Sequence, residues 1–253
     1  GRGGPPMMLT DKQAVVYGAT GPIGGAVAKT FAREGATVHL AGRTAGTLER
    51  LAAEIRAAGG KAETGVVDAL DEESVDRHAE AIGRIDISFN LIGHRQYFGT
   101  PLVDMSLADV EEPVRNMLRT FYLTSRAAAR QMIKQRSGVI LTFGGNGDPM
   151  ANLGGFQVGF GAVEALRRSL ARELGEHGIR VITLQTNGIP ESNPDTYPED
   201  FRREIAEQTA AQTMLNRAAT LADVGAVAAF AASDQAASIT GTAINLTAGA
   251  TVN

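Results

Sequence analysis

The chain contains no cysteine and no tryptophan, has few aromatic residues, and has no long apolar run. The absence of cysteine excludes disulfides, thiolate nucleophiles and cysteine-ligated zinc, and it is compatible with a cytoplasmic location. A membrane-spanning helix needs about 18 or more consecutive apolar residues, and the N-terminus lacks the apolar centre of a signal peptide, so no membrane partner is expected. No metal site is expected either, because the four histidines are scattered: His39, His78, His94 and His177.

Charge and length narrow the class of protein further. The net charge of −4 gives no basic excess for a phosphate backbone, so nucleic acid is not an expected partner. The 253 residues, 43% of them hydrophobic, are enough for one sizeable core. We expect a flexible tail over residues 1–10 and one domain over residues 11–253.

Short β-rich runs alternate with longer helical patterns along the domain. The runs are mostly apolar, as in strands that helices cover on both faces. The predicted strands are Gln13–Tyr17, Thr37–Ala41, Ala62–Val67, Ile85–Ile92, Val139–Phe143, Arg180–Gln185 and Ala243–Leu246. The pattern predicts an α/β fold with a doubly wound parallel sheet of about seven strands flanked by helices. A Pro-rich stretch opens a substrate loop at about 188–215, whose length suits a lid.

The first predicted strand ends in a glycine-rich turn, Gly18-Ala19-Thr20-Gly21-Pro22-Ile23-Gly24, which leads into a helix. Glycines there allow a tight turn, and they let the N–H groups of the helix N-terminus approach a pyrophosphate. The turn therefore predicts a dinucleotide site at this point, with packing alone as the open alternative.

The end of the second predicted strand indicates which dinucleotide is preferred. A fold that selects NAD(H) usually has an acidic residue there, whereas this chain has Arg43 followed by Thr44. An arginine suits a 2′-phosphate, so NADP(H) is favoured over NAD(H). A solvated loop arginine is the open alternative.

Several further motifs, together with the glycine turn, resemble the short-chain dehydrogenase/reductase family over nearly all of residues 11–253. The motifs are Asp68 after the third strand, Asn90-Leu91-Ile92-Gly93 after the fourth, Asn116-x-x-x-x-Phe121, Glu164 to Leu174, Ser238-Ile239-Thr240-Gly241 and Asn245 to Gly249. The resemblance implies a Rossmann-like single domain, a small-molecule substrate and a homodimer or homotetramer. It implies cofactor contacts at Gly18, Thr20, Gly21, Ile23, Gly24, Arg43, Thr44, Asp68, Asn90, Gly93, Gly188 and Ser192, with Asn116 as the asparagine of the catalytic helix.

The chain departs from this family at the residues that carry its chemistry. In the family register, Phe156 stands in place of the catalytic tyrosine and Phe160 in place of the lysine. Gly145, or alternatively Gly144, stands in place of the serine. Slippage does not restore the set, because the sequence has no lysine after position 134 and no serine between positions 137 and 169. Ordinary carbonyl reduction is therefore disfavoured.

The loop after Gly93 offers replacement chemistry. His94 is a candidate general base, Tyr97 a candidate general acid and Arg95 a candidate oxyanion stabiliser. An ordinary polar loop is the open alternative. Weaker candidates follow the fifth strand and start the next helix: Asn146, Asp148, Asn152 and Gln157. The Asn187-Gly188 pair replaces the family's Pro-Gly, which puts the usual nicotinamide pose in question.

Three functions remain open. The first is an enzyme that uses the pocket for non-redox chemistry such as cyclisation, elimination, isomerisation or hydrolysis. The second is an NADPH-dependent oxidoreductase acting on an activated C=C or C=N bond. The third is a catalytically silent binding or assembly subunit.

Overall fold

Helices and strands alternate along the chain in the computed structural model, which describes residues 6–145 and 147–253. The strands are β1 Gln13–Tyr17, β2 Thr37–Gly42, β3 Lys61–Val66, β4 Ile87–Asn90, β5 Gly138–Gly144, β6 Ile179–Gln185 and β7 Thr242–Asn245. The α-helices are α1 Pro22–Arg33, α2 Ala45–Ala57, α3 Glu72–Ile82, α4 Leu107–Gln135, α5 Phe156–Leu174, α6 Glu199–Ala211 and α7 Leu221–Ala232. All seven predicted strands are confirmed, with every end within two residues of its predicted position.

The seven strands form one parallel sheet in the order β3-β2-β1-β4-β5-β6-β7. The direction of strand succession reverses at β1, which pairs with β2 on one side and β4 on the other. In open α/β sheets the crevice for ligands lies outside the carboxyl ends of the strands at such a reversal. The turn after Tyr17 and the loop after Asn90 therefore lie side by side at the expected place, because these two residues are paired across the strands.

Two apolar cores lie on the two faces of the sheet. One joins the sheet to α1, α2 and α7, and the other joins it to α3, α4 and α5. Side chains of successive strand residues point to opposite faces, so Val16 belongs to the first core and Val15 and Tyr17 belong to the second. This two-sided burial explains why the strands are mostly apolar.

The packed chain begins before the predicted boundary at residue 11. Leu9 is fully buried, and its N–H donates to the carbonyl of Glu34 at 2.9 Å. The N–H of Met8 donates to Oε2 of the same glutamate. Part of the expected flexible tail is therefore tied to the end of α1, while residues 1–5 lie outside the described residues.

The expected substrate loop at 188–215 contains a helix. Pro198 precedes α6, and Glu199 and Asp200 occupy its first turn, where negative charge is favourable. No α6 residue is buried, so the helix carries little of the periodic apolar signal by which helices are recognised in sequence.

Within the described ranges, no helix is long and apolar enough to cross a bilayer, and no group of acidic or histidine side chains is placed to hold a metal ion.

Candidate active site

The glycine-rich turn between β1 and α1 forms a tight backbone cradle. Gly18 has a φ of +71°, and a Cβ on it would lie 2.5 Å from the carbonyl oxygen of Leu91. A Cβ on Gly24 would lie 2.1 Å from the carbonyl oxygen of Gly18. Pro22 is the first residue of α1, a position where the missing N–H costs nothing. The turn keeps the helix N-terminus open toward the crevice, so these residues fit a dinucleotide pyrophosphate.

The residues expected to hold the adenosine half of a dinucleotide follow the carboxyl ends of β2 and β3. Arg43 and Asp68 are exposed, and Thr44 is the N-cap residue of α2. The Asp68 carboxylate accepts from the N–H of Leu70 at 3.0 Å, which fixes the turn that follows β3. The exposed guanidinium of Arg43, at the end of β2, fits a phosphate group.

Asn90 organises the loop that follows β4. Its side-chain oxygen accepts from the N–H of Ile92 at 3.0 Å, and its Nδ2 donates to the hydroxyl of Thr124 on α4 at 3.4 Å. The loop is thereby fixed between the glycine turn and α4. Gly93, which follows, is exposed, so the chain passes close to the crevice without a side chain.

A cavity of about 300 Å³ lies at the carboxyl ends of β4 and β5. Two phenylalanine rings form one wall: Phe156 and Phe160 pack edge to face with centroids 4.8 Å apart, and Phe98, outside the lining, packs on Phe156 at 5.4 Å. Polar side chains lie elsewhere in the lining, which comprises Ile23, Asn90, Leu91, Ile92, Gly93, His94, Gln96, Met117, Thr120, Phe121, Thr142, Phe143, Phe156, Phe160 and Val163.

A second cavity of about 530 Å³ adjoins the first. It shares Ile23, Phe143, Phe156 and Phe160 with the first cavity, so the two phenylalanines of α5 stand between them. The predicted site residues Gly145, Gly188 and Ser192 line this second cavity. Among the described residues that line either cavity, none is a tyrosine or a lysine.

The three candidates in the loop after β4 are separated by the structure. His94 lines the first cavity, whereas Arg95 and Tyr97 are absent from its described lining. The Tyr97 hydroxyl donates to Oε2 of Glu112 at 2.6 Å, and the Arg95 guanidinium lies 5.0 Å from the Tyr97 ring centroid. The hydrogen bond to Glu112, followed by burial, raises the pKa of Tyr97. The structure thus leaves His94 as the one of these three that faces the cavity.

The environment of His94 favours its neutral form. Burial lowers the pKa of its imidazole, and the positive charge of Arg43 lowers it further. Its Nε2 lies 3.3 Å from the hydroxyl oxygen of Thr120, which is buried on α4. A neutral imidazole at neutral pH is able to accept a proton.

The other candidates have different surroundings. Asn116 is half-buried on α4 and is not part of either described cavity lining, although its neighbour Met117 is. The Gln157 amide accepts from the N–H of Met150 and donates to the carbonyl of Asp148, so it fixes the loop before α5. Asn152 occupies an exposed turn with a φ of +65°. Asn146 lies outside the described residues.

Gln96 lines the cavity and was not recognised from the sequence. Its Nε2 donates to the Met117 sulfur at 3.5 Å, and its Oε1 is buried without a hydrogen-bond partner. Alternation is the signal that could have found it: in an extended segment every second side chain points the same way. His94 and Gln96 therefore face the cavity together, while Arg95 and Tyr97 lie outside it.

The parallel sheet, the glycine cradle and the crevice at the reversal of strand order define a dinucleotide-binding α/β fold of the dehydrogenase type. Residues 18–251 match the family model described as "Enoyl-(Acyl carrier protein) reductase". The chain belongs to the short-chain dehydrogenase/reductase family.

Named relatives cover almost the whole chain. It is 31% identical to "Oxidoreductase UcpA" of Salmonella typhimurium, with 96% of each protein covered. It is 29% identical to the 3-oxoacyl-[acyl-carrier-protein] reductase FabG of Escherichia coli, with 96% of this chain and 98% of that protein covered. A solved structure described as a putative NAD(P)-dependent gluconate 5-dehydrogenase from Beutenbergia cavernae, with NADP bound at low occupancy, is 30% identical to this chain. It has a TM-score of 0.83, and the match covers 97% of this chain and 98% of the other. These relatives are oxidoreductases of the same fold.

Proposed function

We propose that this protein binds NADP(H) and carries out proton-transfer chemistry, such as isomerisation, elimination or cyclisation, on a small organic substrate. The observation that carries the proposal is the cavity wall: Phe156 and Phe160 stand where the family resemblance expects the proton-transferring tyrosine and its lysine. Neither ring exchanges a proton. The base is instead His94, elsewhere in the lining of the same cavity.

The cofactor part of the proposal rests on the cradle and on Arg43. Gly18 and Gly24 let the turn pack directly on backbone atoms that a Cβ would strike, as the tight turn at the N-terminus of α1 requires, and the exposed Arg43 suits a 2′-phosphate. NAD(H) is the less favoured alternative. The family neighbour with bound NADP supports this choice. When bound, the cofactor supplies hydride transfer or, in a non-redox enzyme, one wall of the substrate site.

His94 is arranged to act as a base. The Thr120 hydroxyl donates to the carbonyl oxygen of Met117 at 3.3 Å. The Nε2–H of His94 then donates to the hydroxyl oxygen of Thr120, which leaves Nδ1 as the nitrogen that accepts a proton. Burial keeps the imidazole neutral near pH 7, as the role requires. The flat apolar part of the substrate lies against the phenylalanine wall and the reacting C–H lies near His94, where water is excluded and a charged intermediate interacts strongly with the polar side chains.

An exchange experiment tests this function. The probe is 2-tetralone, an aromatic ketone whose C1 protons are acidic, and hydrogen–deuterium exchange is followed by NMR in D₂O with NADPH present. The wild-type protein should accelerate exchange, and His94→Gln should reduce the acceleration roughly 10²-fold or more, as expected when a general base is lost. Arg95→Gln, outside the cavity, serves as the matched control. Steady NADPH oxidation with this ketone would refute the proposal.

Reduction of an activated C=C or C=N bond is the second candidate function. The family model's description, an enoyl reductase, favours it. Such a reaction requires no tyrosine beside a carbonyl oxygen if His94 or water supplies the proton. NADPH oxidation measured with cyclic enones and imines distinguishes this function from the first, since only a reductase consumes the cofactor.

The quaternary state of the protein is a separate proposal. We expect a homodimer or homotetramer formed through α4 and α5. Apolar side chains exposed on these helices, Leu118 and Tyr122 on α4 and Val158 on α5, support this expectation. Light scattering coupled to gel filtration measures the mass of the oligomer.

A catalytically silent binding subunit is the remaining alternative function. A protein that neither exchanges the ketone protons nor consumes NADPH would be assigned to this class.

A further inference from the structure

We propose that Gln96 determines substrate specificity, by accepting a hydrogen bond from a hydroxyl group on a planar, unsaturated ligand. This inference concerns the same cavity and thus rests on the proposed function for its place in a reaction. The recognition itself is independent of any chemistry at His94. It follows from the pattern of hydrogen bonds and ring contacts inside the cavity.

The carboxamide of Gln96 is satisfied on one side only. Its Nε2 reaches the Met117 sulfur, while its Oε1 is buried with no partner. Buried polar atoms are nearly always hydrogen-bonded, so an orphan acceptor on a residue that lines a ligand-sized cavity indicates a missing donor. A ligand hydroxyl supplies that donor. An ether or a methyl group of similar size does not.

The shape of the rest of the ligand follows from the aromatic wall. Phe98, Phe156 and Phe160 pack edge to face in a continuous row, and Phe98 at the outer end of the row is 57% exposed. Aromatic rings prefer such edge-to-face or offset contacts, so Phe156 and Phe160, the two rings of the row that line the cavity, offer ring faces and edges to a further flat ring. The cavity of about 300 Å³ is at the lower limit of ligand pockets and suits a molecule of one or two rings.

The Met117 sulfur accepts a hydrogen bond from Gln96 and so positions its side chain. A glycine of α5 leaves the space that the sulfur occupies. A Cβ on Gly159 would lie 2.5 Å from the Met117 sulfur. Gly159, between Phe156 and Phe160 on α5, therefore lets the thioether pass over the helix and reach the amide of Gln96. The acceptor and the aromatic wall are thus positioned by the same turn of α5. This linkage makes the oxygen of Gln96 a fixed feature of the cavity.

Binding of matched naphthalenes tests the proposal. The probes are 2-naphthol, 2-methoxynaphthalene and 2-methylnaphthalene, which share a ring system but differ in the donor, and affinity is measured by calorimetric or fluorescence titration. The wild-type protein should bind 2-naphthol roughly tenfold more tightly than the other two, as one buried hydrogen bond implies. Gln96→Leu should remove this preference and leave the affinity for 2-methylnaphthalene in place. Arg95→Gln, on the same loop, should retain the preference.

Three results would overturn the proposal. The first is equal affinity of the wild-type protein for all three probes, or no binding of any. The second is a naphthol preference that survives in Gln96→Leu, which would place the acceptor elsewhere. The third is that neither Gln96→Leu nor Gln96→Met binds any of the three probes, which would show that Gln96 maintains the structure of the cavity and does not recognise a hydroxyl group. The exchange assay with His94→Gln reports separately on the proposed reaction, so either idea can fail alone.

Discussion

Acidification is expected to destabilise this protein through His78, a histidine that lines neither of the two cavities of the candidate site. His78 lies on α3 and packs against the sheet, with its ring centroid 6.4 Å from that of the buried Tyr17. Its Nδ1 is buried and has no hydrogen-bond partner. Gly65 on β3 makes room for the imidazole, because a Cβ there would lie 2.5 Å from Nε2. Among the described residues, none accepts a hydrogen bond from Nδ1, so a proton added there is not stabilised by a partner.

The size of the effect follows from the pKa. Burial lowers the pKa of His78 from its ordinary value of 6.5 to about 4, with the nearby His39 as the smaller cause. The unfolded chain therefore binds a proton more readily than the folded one, and stability falls as the pH drops below about 6.5. Since one pKa unit corresponds to about 1.4 kcal/mol, His78 alone should remove roughly 3 kcal/mol of folding free energy between about pH 7.5 and about pH 4.

Urea unfolding at a series of pH values measures this contribution. The free energy of unfolding of the wild-type protein is compared with that of His78→Leu, which cannot take up the proton. The informative quantity is the change with pH in each protein, because Leu also alters packing at every pH. The wild type should lose roughly 3 kcal/mol more than the variant over this range. Equal losses in the two proteins would refute the reasoning.

Three further substitutions test the local packing. In Gly24→Ala the new Cβ would lie 2.1 Å from the carbonyl oxygen of Gly18, so urea unfolding should show a loss of roughly 1–3 kcal/mol and NADPH titration a loss of binding. Gly159→Ala meets the flexible Met117 sulfur, so it should cost less than about 1.5 kcal/mol but lower the affinity for 2-methylnaphthalene as the cavity narrows. Thr220→Ala removes the N-cap of α7 and should cost about 1 kcal/mol in urea unfolding, with unchanged NADPH binding. Unchanged unfolding of Gly24→Ala or Thr220→Ala, or an unchanged affinity of Gly159→Ala for 2-methylnaphthalene, would contradict the corresponding packing argument.

The strands were predictable because their signal is local. Runs of apolar and β-branched residues coincide with buried strands, and their ends are marked by glycine or charged residues. The exception is β4, predicted as Ile85–Ile92 but observed as Ile87–Asn90. Ile85 is buried, yet its N–H and carbonyl bond the side chain of Gln135 at the end of α4. Burial and strand pairing are separate properties here, and an apolar run reports only the first.

Side-chain direction in loops could not be read from residue type. His94, Arg95 and Tyr97 were equivalent as polar loop residues, and the structure separates them because Glu112 accepts from the tyrosine. That glutamate is 15 positions away on α4, so its contact depends on how the helix packs beside the loop. The unpaired oxygen of Gln96 is likewise a property of the packed cavity, since it depends on Met117 and on the space at Gly159.

The distribution of polar atoms in the cavity restricts how a substrate reacts there. Phe156 and Phe160 offer neither a proton nor an acceptor, whereas the lining elsewhere contains His94 and Gln96 and the hydroxyl of Thr120. A substrate that turned its reacting atom toward the phenylalanines would lose its hydrogen bonds to water and find none in exchange, which is costly in a buried site. The favourable orientation places the flat apolar part on the phenylalanines and the reacting C–H near His94. If Gln96 holds the substrate hydroxyl in that orientation, binding and proton transfer depend on two neighbouring side chains of one short loop, and the aromatic wall fixes the plane in which they act.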